Sequence, residues 1–130
     1  MAGASAIVRA LIGMPAAVPD ALLERFPELR AVRWRRGGLP PRVAGWTLGQ
    51  RSVAAITLWR TVFLAPDVVP HPLLLLHEAR HVQQFEASVT FPVRYLWESV
   101  RRGYHRNPYE ADARAFAASR WRSAATTDSR

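Results

Sequence analysis

Leu73-Leu74-Leu75-Leu76-His77-Glu78-Ala79-Arg80-His81 is the stretch on which the reading of this chain turns. The leucines follow Pro72, which suits the first helical position because its missing N–H is not needed there. That predicts a helix from about Pro72 to Ser88. Residues four apart on a helix stand about 40° apart around the axis, so the imidazoles of His77 and His81 can reach one metal ion. Glu78 sits beside the first of them, where a carboxylate can take a proton from a water held at that metal. Two ligands and a base at H-E-x-x-H spacing make up the helical half of a hydrolytic zinc site. The plainer reading, two solvent-facing histidines and a surface glutamate, leaves supporting residues downstream without a role.

A catalytic zinc usually has three protein ligands and one open position. One extended form of the pattern places a glycine and a third histidine further along the same helix. Those positions hold Gln84 and Ala87 here, so the third ligand must come from elsewhere. Glu86, Glu98, His105, Glu110 and Asp112 are the candidates. Glu86 points away from His81 on its own helix, and Glu98 falls mid-helix among basic neighbours, where a surface ion pair explains it. Glu110 stands in the first turn of a helix opened by Asn107-Pro108, from which a carboxylate can project toward a neighbouring helix. An acidic residue also suits a helix N-terminus for its dipole alone, but beside the zinc motif the ligand role is favoured. Asp112 would face another side, as a partner holding a ligand histidine or an arginine. Tyr104, His105 and Tyr109 are the candidate donors to a tetrahedral oxyanion.

Composition narrows the chemistry. The 130 residues suit one domain, and 49% hydrophobic with 22% charged residues fits a globular protein. Cysteine is absent, so any metal is held by histidine and carboxylate. The net charge is +8 and every one of the 18 basic residues is arginine. Such charge can attract nucleic acid or an anionic membrane. The arginines are scattered, however, with short clusters only at Arg33-Trp34-Arg35-Arg36 and Arg101-Arg102, which favours solvated surface over a nucleic-acid partner. No apolar run approaches the roughly 18 residues of a spanning helix. The segment Met1 to Pro19 is split by Arg9 and lacks a basic region ahead of an apolar block, so the expectation is no signal peptide and a cytoplasmic location.

Organisation reads as an N-terminal segment (1–18), one domain (19–122) and a flexible polar tail (123–130). Asp20 caps a helical turn with Leu22, Leu23 and Phe26 on one face. Leu29 to Arg36 alternates apolar and basic residues as a strand does, Ala31 being the weak position. Gly37-Gly38-Leu39-Pro40-Pro41 breaks the chain. Val53 to Leu64 predicts one long strand, or a hairpin turning near Trp59-Arg60. After the motif helix, Thr90-Phe91-Pro92 opens a second helix that Gly103 closes. Its stripe of Val93, Leu96, Trp97 and Val100 reads as core packing. The last helix runs from Asn107-Pro108 to about Trp121.

Taken together, Ala55-Ile56-Thr57-Leu58 with Val62-Phe63-Leu64, the helix Leu75 to Gln84, and Asn107-Pro108-Tyr109-Glu110-Ala111-Asp112-Ala113 give the chain a family resemblance. It resembles the small bacterial gluzincin-like zinc metallopeptidase domains, including those associated with extracellular contractile injection systems. The resemblance spans positions 40 to 118. It implies an α+β, minimal zincin-like domain, with a small, mostly antiparallel sheet packed on the H-E-x-x-H helix and two further C-terminal helices. It also implies one Zn²⁺ per chain at His77, His81 and Glu110, Glu78 as general base, and a peptide or protein substrate. Two positions depart from the pattern: Trp59 stands where a hairpin glycine is common, and Arg114 where the larger gluzincins carry an Asp four residues after the ligand Glu. Two other functions compete: a catalytically idle zinc-binding module inside a larger assembly, and a basic nucleic-acid binder using Arg33-Trp34-Arg35-Arg36 and Tyr95-Leu96-Trp97.

Overall fold

The computed structural model describes residues 2–38 and 54–130. Its architecture is α+β, and the chain forms two compact units, Met1–Pro70 and His71–Arg130.

In the first unit the small-residue segment at the start is helical, which the sequence reading did not anticipate. Helix α1 (Ala2–Ile12) is followed by the short strand β1 (Met14–Pro15). The turn between them requires Gly13: its φ is +66°, and a Cβ there would collide with the carbonyl oxygen of Arg36. Arg35 donates to the carbonyls of Ile12 and Gly13 and so caps the end of α1. Helix α2 (Asp20–Arg25) then leads into a 3₁₀ turn (Pro27–Ala31). Strand β2 is therefore only Arg33–Arg36, shorter than the alternation from Leu29 suggests. Ala31, where that alternation falters, is the last residue of the turn. The Trp34 indole donates to the carbonyl of Leu29 (3.0 Å) and locks turn to strand.

Strands β3 (Ala55–Leu58) and β4 (Thr61–Leu64) form a hairpin, closed by the two-residue loop Trp59-Arg60. Trp59 has φ +55°, the left-handed conformation that glycine usually supplies. The sheet order is β1-β2-β4-β3. The outer pairings are antiparallel and the central one, β2 with β4, is parallel, so the sheet is mixed. Phe26, Leu29, Val32, Trp34, Val62, Phe63 and Leu64 are buried in this unit. Leu39, Pro40, Pro41 and Val53 lie outside the described residues.

The second unit has three helices. Helix α3 (Pro72–Ala87) begins with Pro72 and is capped by His71, whose Nδ1 accepts from Leu73 N (3.1 Å). Helix α4 (Phe91–Arg102) closes on Gly103, and helix α5 (Pro108–Asp128) opens on Asn107. α3 and α5 pack along one another, with Ala79, Val82, Ala113 and Ala117 buried. Phe85, Phe91 and Tyr109 stack edge to face across the three helices, at 4.6 and 5.0 Å between ring centroids.

Two expectations fail in this unit. α5 continues past Trp121 to Asp128, taking in most of the supposed tail. The hydroxyls there bond back to carbonyls four residues earlier, Thr126 to Arg122 and Thr127 to Ser123, so polar side chains do not stop the helix. The stripe on α4 is not core. Val93, Leu96, Trp97 and Val100 are exposed, while Phe91 and Tyr95 turn inward. No helix among the described residues is long and apolar enough to cross a membrane.

Candidate metal centre

The site lies wholly within the second unit. α3 carries His77 and His81 one turn apart, and their rings meet edge to face at 4.9 Å. α5 supplies Glu110 from its first turn, and Asn107 fixes that start. Asn107 is fully buried; its Oδ1 accepts from Tyr109 N (2.9 Å), and its Nδ2 donates to Tyr95 O (3.1 Å) and Ser99 Oγ (2.9 Å). Cap and cross-link together tie the beginning of α5 to α4, and so set where Glu110 points.

Two imidazole nitrogens and the two oxygens of one carboxylate converge. His77 Nε2 lies 2.9 Å from Glu110 Oε2, His81 Nε2 lies 3.1 Å from Glu110 Oε1, and the two Nε2 atoms are 3.2 Å apart. The group is fit to hold a metal ion. A four-coordinate ion with bonds of about 2.0–2.1 Å needs ligand atoms about 3.3 Å apart, a little wider than each of these separations. The three side chains already meet at hydrogen-bond distance, so a spreading of about a few tenths of an ångström would bring them to ligand spacing.

Electrostatics bind the group together. Burial would raise the Glu110 carboxyl, but hydrogen bonds from His77 and His81, the His81 charge and Tyr95 outweigh it and hold the group well below the ordinary carboxylate range. Burial would lower His81, but its bond to Glu110 and the charges of Glu78 and Glu110 win, and its pKa is raised. Glu78 is buried next to His77, and its charge is felt at His81, Tyr95 and Tyr104.

Around these lie Tyr95 and Gln84, which the spacing of the motif does not mark as part of the site. Tyr95 donates to Glu110 Oε1 (2.6 Å). Burial first, then the Glu110 charge, push its phenol upward, so it stays a donor. Gln84 faces His81: its Oε1 is 2.8 Å from His81 Nδ1, while its Nε2 donates to Tyr109 O (3.0 Å) and Asp112 Oδ2 (2.9 Å). Two acceptors hold the amide nitrogen, so the amide oxygen must face the ring, and His81 Nδ1 carries a proton toward it. His81 Nε2 is then the atom turned to the metal position. Asp112 also receives Arg80 Nε (2.8 Å) and Nη2 (3.3 Å). It therefore holds an arginine directly, and its hydrogen-bond route to His81 runs through Gln84.

The three candidate donors to an oxyanion separate. Tyr104 is close enough for Glu110 and Glu78, after burial, to raise its phenol. His105 is exposed, its ring against Tyr104 at 5.5 Å and its carbonyl accepting from Arg114. Tyr109 sits in the aromatic cluster and contributes its carbonyl to Gln84. The two rejected third-ligand candidates are accounted for as well. Glu98 pairs with Arg102 one turn on (2.7 Å), and Glu86 lies outside the converging group.

Comparison with known proteins found no matching family model, no matching curated protein and no matching solved structure. The functional reading therefore rests on this geometry.

Proposed function

We propose that the protein is a zinc-dependent peptidase of the gluzincin-like, minimal zincin type, with one Zn²⁺ at His77, His81 and Glu110. The observation that carries this is the convergence of two imidazole nitrogens and one carboxylate, with a buried carboxylate, Glu78, next to the first ligand. Two neutral histidines and one carboxylate are a zinc donor set of the catalytic kind, which leaves one position open. When bound there, zinc supplies Lewis-acid activation of water and of a substrate carbonyl.

The chain's own residues do the rest. Glu78 takes the proton of the attacking water and hands it to the leaving amine. Tyr104, a phenol kept protonated beside the site, donates to the developing oxyanion. Tyr95 and Gln84 hold Glu110 and His81 in place.

Elemental analysis of purified protein is expected to show one zinc per chain, lost in His77→Ala and His81→Ala. Glu78→Gln is expected to keep zinc and fold but lose hydrolysis of a broad peptide panel, because an amide cannot accept the proton. Stoichiometric zinc in both histidine variants, or full activity in Glu78→Gln, would overturn the assignment.

A further inference from the structure

The exposed stripe on α4 has no part in the metal centre. At 100° per residue, Pro92, Leu96, Val100, Val93 and Trp97 fall within an arc of about 140°, and that arc contains no charged residue. Val93, Leu96, Trp97 and Val100 are 71%, 65%, 63% and 83% exposed. These are large apolar side chains standing in water on consecutive turns, which isolated domains rarely tolerate as a contiguous patch without a use. The inward side of the same helix is occupied by Phe91 and Tyr95, so α4 cannot bury the stripe by rolling without breaking the Tyr95–Glu110 bond.

The border of the stripe has one sign. Arg94 and Arg101 flank it on the Trp97 side, and both are exposed. Arg102 and Arg106 follow at the C-terminal end, giving four arginines against one glutamate between positions 91 and 106. That glutamate, Glu98, is engaged by Arg102 at 2.7 Å. A second copy of this helix would thus bring apolar surface and more arginines, but no acidic residue along the stripe to meet them. The partner must offer apolar depth below negative charge. Tryptophan and arginine side by side at the edge of an apolar helix face suit the boundary between acyl chains and headgroups, where an indole and a guanidinium are each satisfied.

We propose that α4 docks this protein on an anionic lipid surface, with Val93, Leu96, Trp97 and Val100 in the acyl boundary and Arg94 and Arg101 at the headgroups. The proposal is independent of the metal centre and of the peptidase reading.

The test is co-sedimentation of the full chain with phosphatidylcholine vesicles, with and without phosphatidylglycerol. Wild type is expected to sediment with the phosphatidylglycerol-containing vesicles, more weakly as salt rises, and far less with phosphatidylcholine alone. Leu96→Ser/Trp97→Ser leaves the net charge unchanged and is expected to lose more than about tenfold in partitioning. Arg94→Gln/Arg101→Gln is expected to lose about fivefold per charge, whereas Arg120→Gln/Arg122→Gln on α5 loses much less. Circular dichroism confirms that each variant is folded. Three results would each overturn the proposal: no sedimentation of wild type, a serine double variant that sediments like wild type, or equal losses in the two arginine pairs. So would a wild-type dimer in light scattering that the serine variant abolishes, since the face would then join two copies.

Discussion

Replacing Gln84 by alanine tests whether the site is held as the geometry says. Gln84 makes three bonds, but only the one to His81 changes in strength when a metal is loaded. A ring that donates charge to a cation through Nε2 makes its Nδ1–H a stronger donor, so the Nδ1–H···Oε1 bond at 2.8 Å tightens on loading. A bond of this charge-assisted kind contributes about 1.5–3 kcal/mol, against about 0.5–1.5 for a neutral one. The difference, about 1–1.5 kcal/mol, sets the expected loss of zinc affinity in Gln84→Ala at about 5- to 13-fold. Asp112→Ala removes one of the two acceptors that orient the amide and leaves Tyr109 O in place, so its loss should be smaller, no more than about fivefold. Because Asp112 acts on His81 through Gln84, the two losses should not add. In a Gln84→Ala background, Asp112→Ala should cost about twofold at most. The assay is competition for zinc against a chromophoric chelator, with cobalt absorption as a check on the ligand geometry. Additive losses, or a Gln84→Ala protein within about twofold of wild type, would refute the relay.

Two further outcomes follow from conformation and charge. Trp59→Gly should raise the thermal midpoint modestly: relief of a left-handed tryptophan is worth about 1–2 kcal/mol, offset by about 0.5–1 kcal/mol of glycine entropy. A fall in the midpoint would mean that the Trp59 side chain contributes more than its backbone costs. In protein stripped of metal, Glu110 is depressed below its ordinary 4.5 and His81 raised above its ordinary 6.5, so their mutual stabilisation is complete between those values. It declines as pH rises through the raised His81 value, and again as pH falls toward the depressed Glu110 value. Zinc must displace protons from the same nitrogens, so the midpoint gained on adding zinc should grow with pH over the range where the metal-free protein weakens. Midpoints measured across pH with and without zinc would show this, and parallel profiles would exclude it.

How much of this was legible in the chain depends on which force decides each element. Proline and cap chemistry act locally, so the starts of α3 and α5 at Pro72 and Asn107-Pro108 stand where the sequence puts them. The hairpin at Trp59-Arg60 was legible as one of two options. No local signal favours a two-residue turn led by tryptophan, and the strand pairing imposes it. The parallel pairing of β2 with β4 was not legible, because register between distant strands leaves no mark on either alone. The α4 stripe shows the limit of periodicity. A period of 3.6 reports that a helix has two unlike faces, but not which face turns inward. Here the inward face is aromatic and polar: Tyr95 on the ligand carboxylate, Ser99 on Asn107.

The second layer of the site could have been read from the same helical arithmetic that found the first. From His77, His81 lies about 40° round the axis, Gln84 about 20° the other way and Arg80 about 60°. One strip of α3 thus carries both candidate ligands, the amide that orients the second and the guanidinium that anchors Asp112. Leu75, Leu76, Ala79 and Val82 lie on the opposite side of the helix and are buried. Position 84 lacks the glycine of the extended pattern, yet a glutamine three residues after a candidate ligand is placed to fix that ligand's tautomer. Asp112 stands two residues after Glu110, so one short stretch of α5 supplies both the candidate carboxylate ligand and the acceptor for this strip. A surface helix with two chance histidines has no need of a matching amide, guanidinium and second carboxylate. Their joint presence, all hydrogen-bonded, supports reading His77, His81 and Glu110 as a group that could hold a metal ion rather than as a coincidence of spacing.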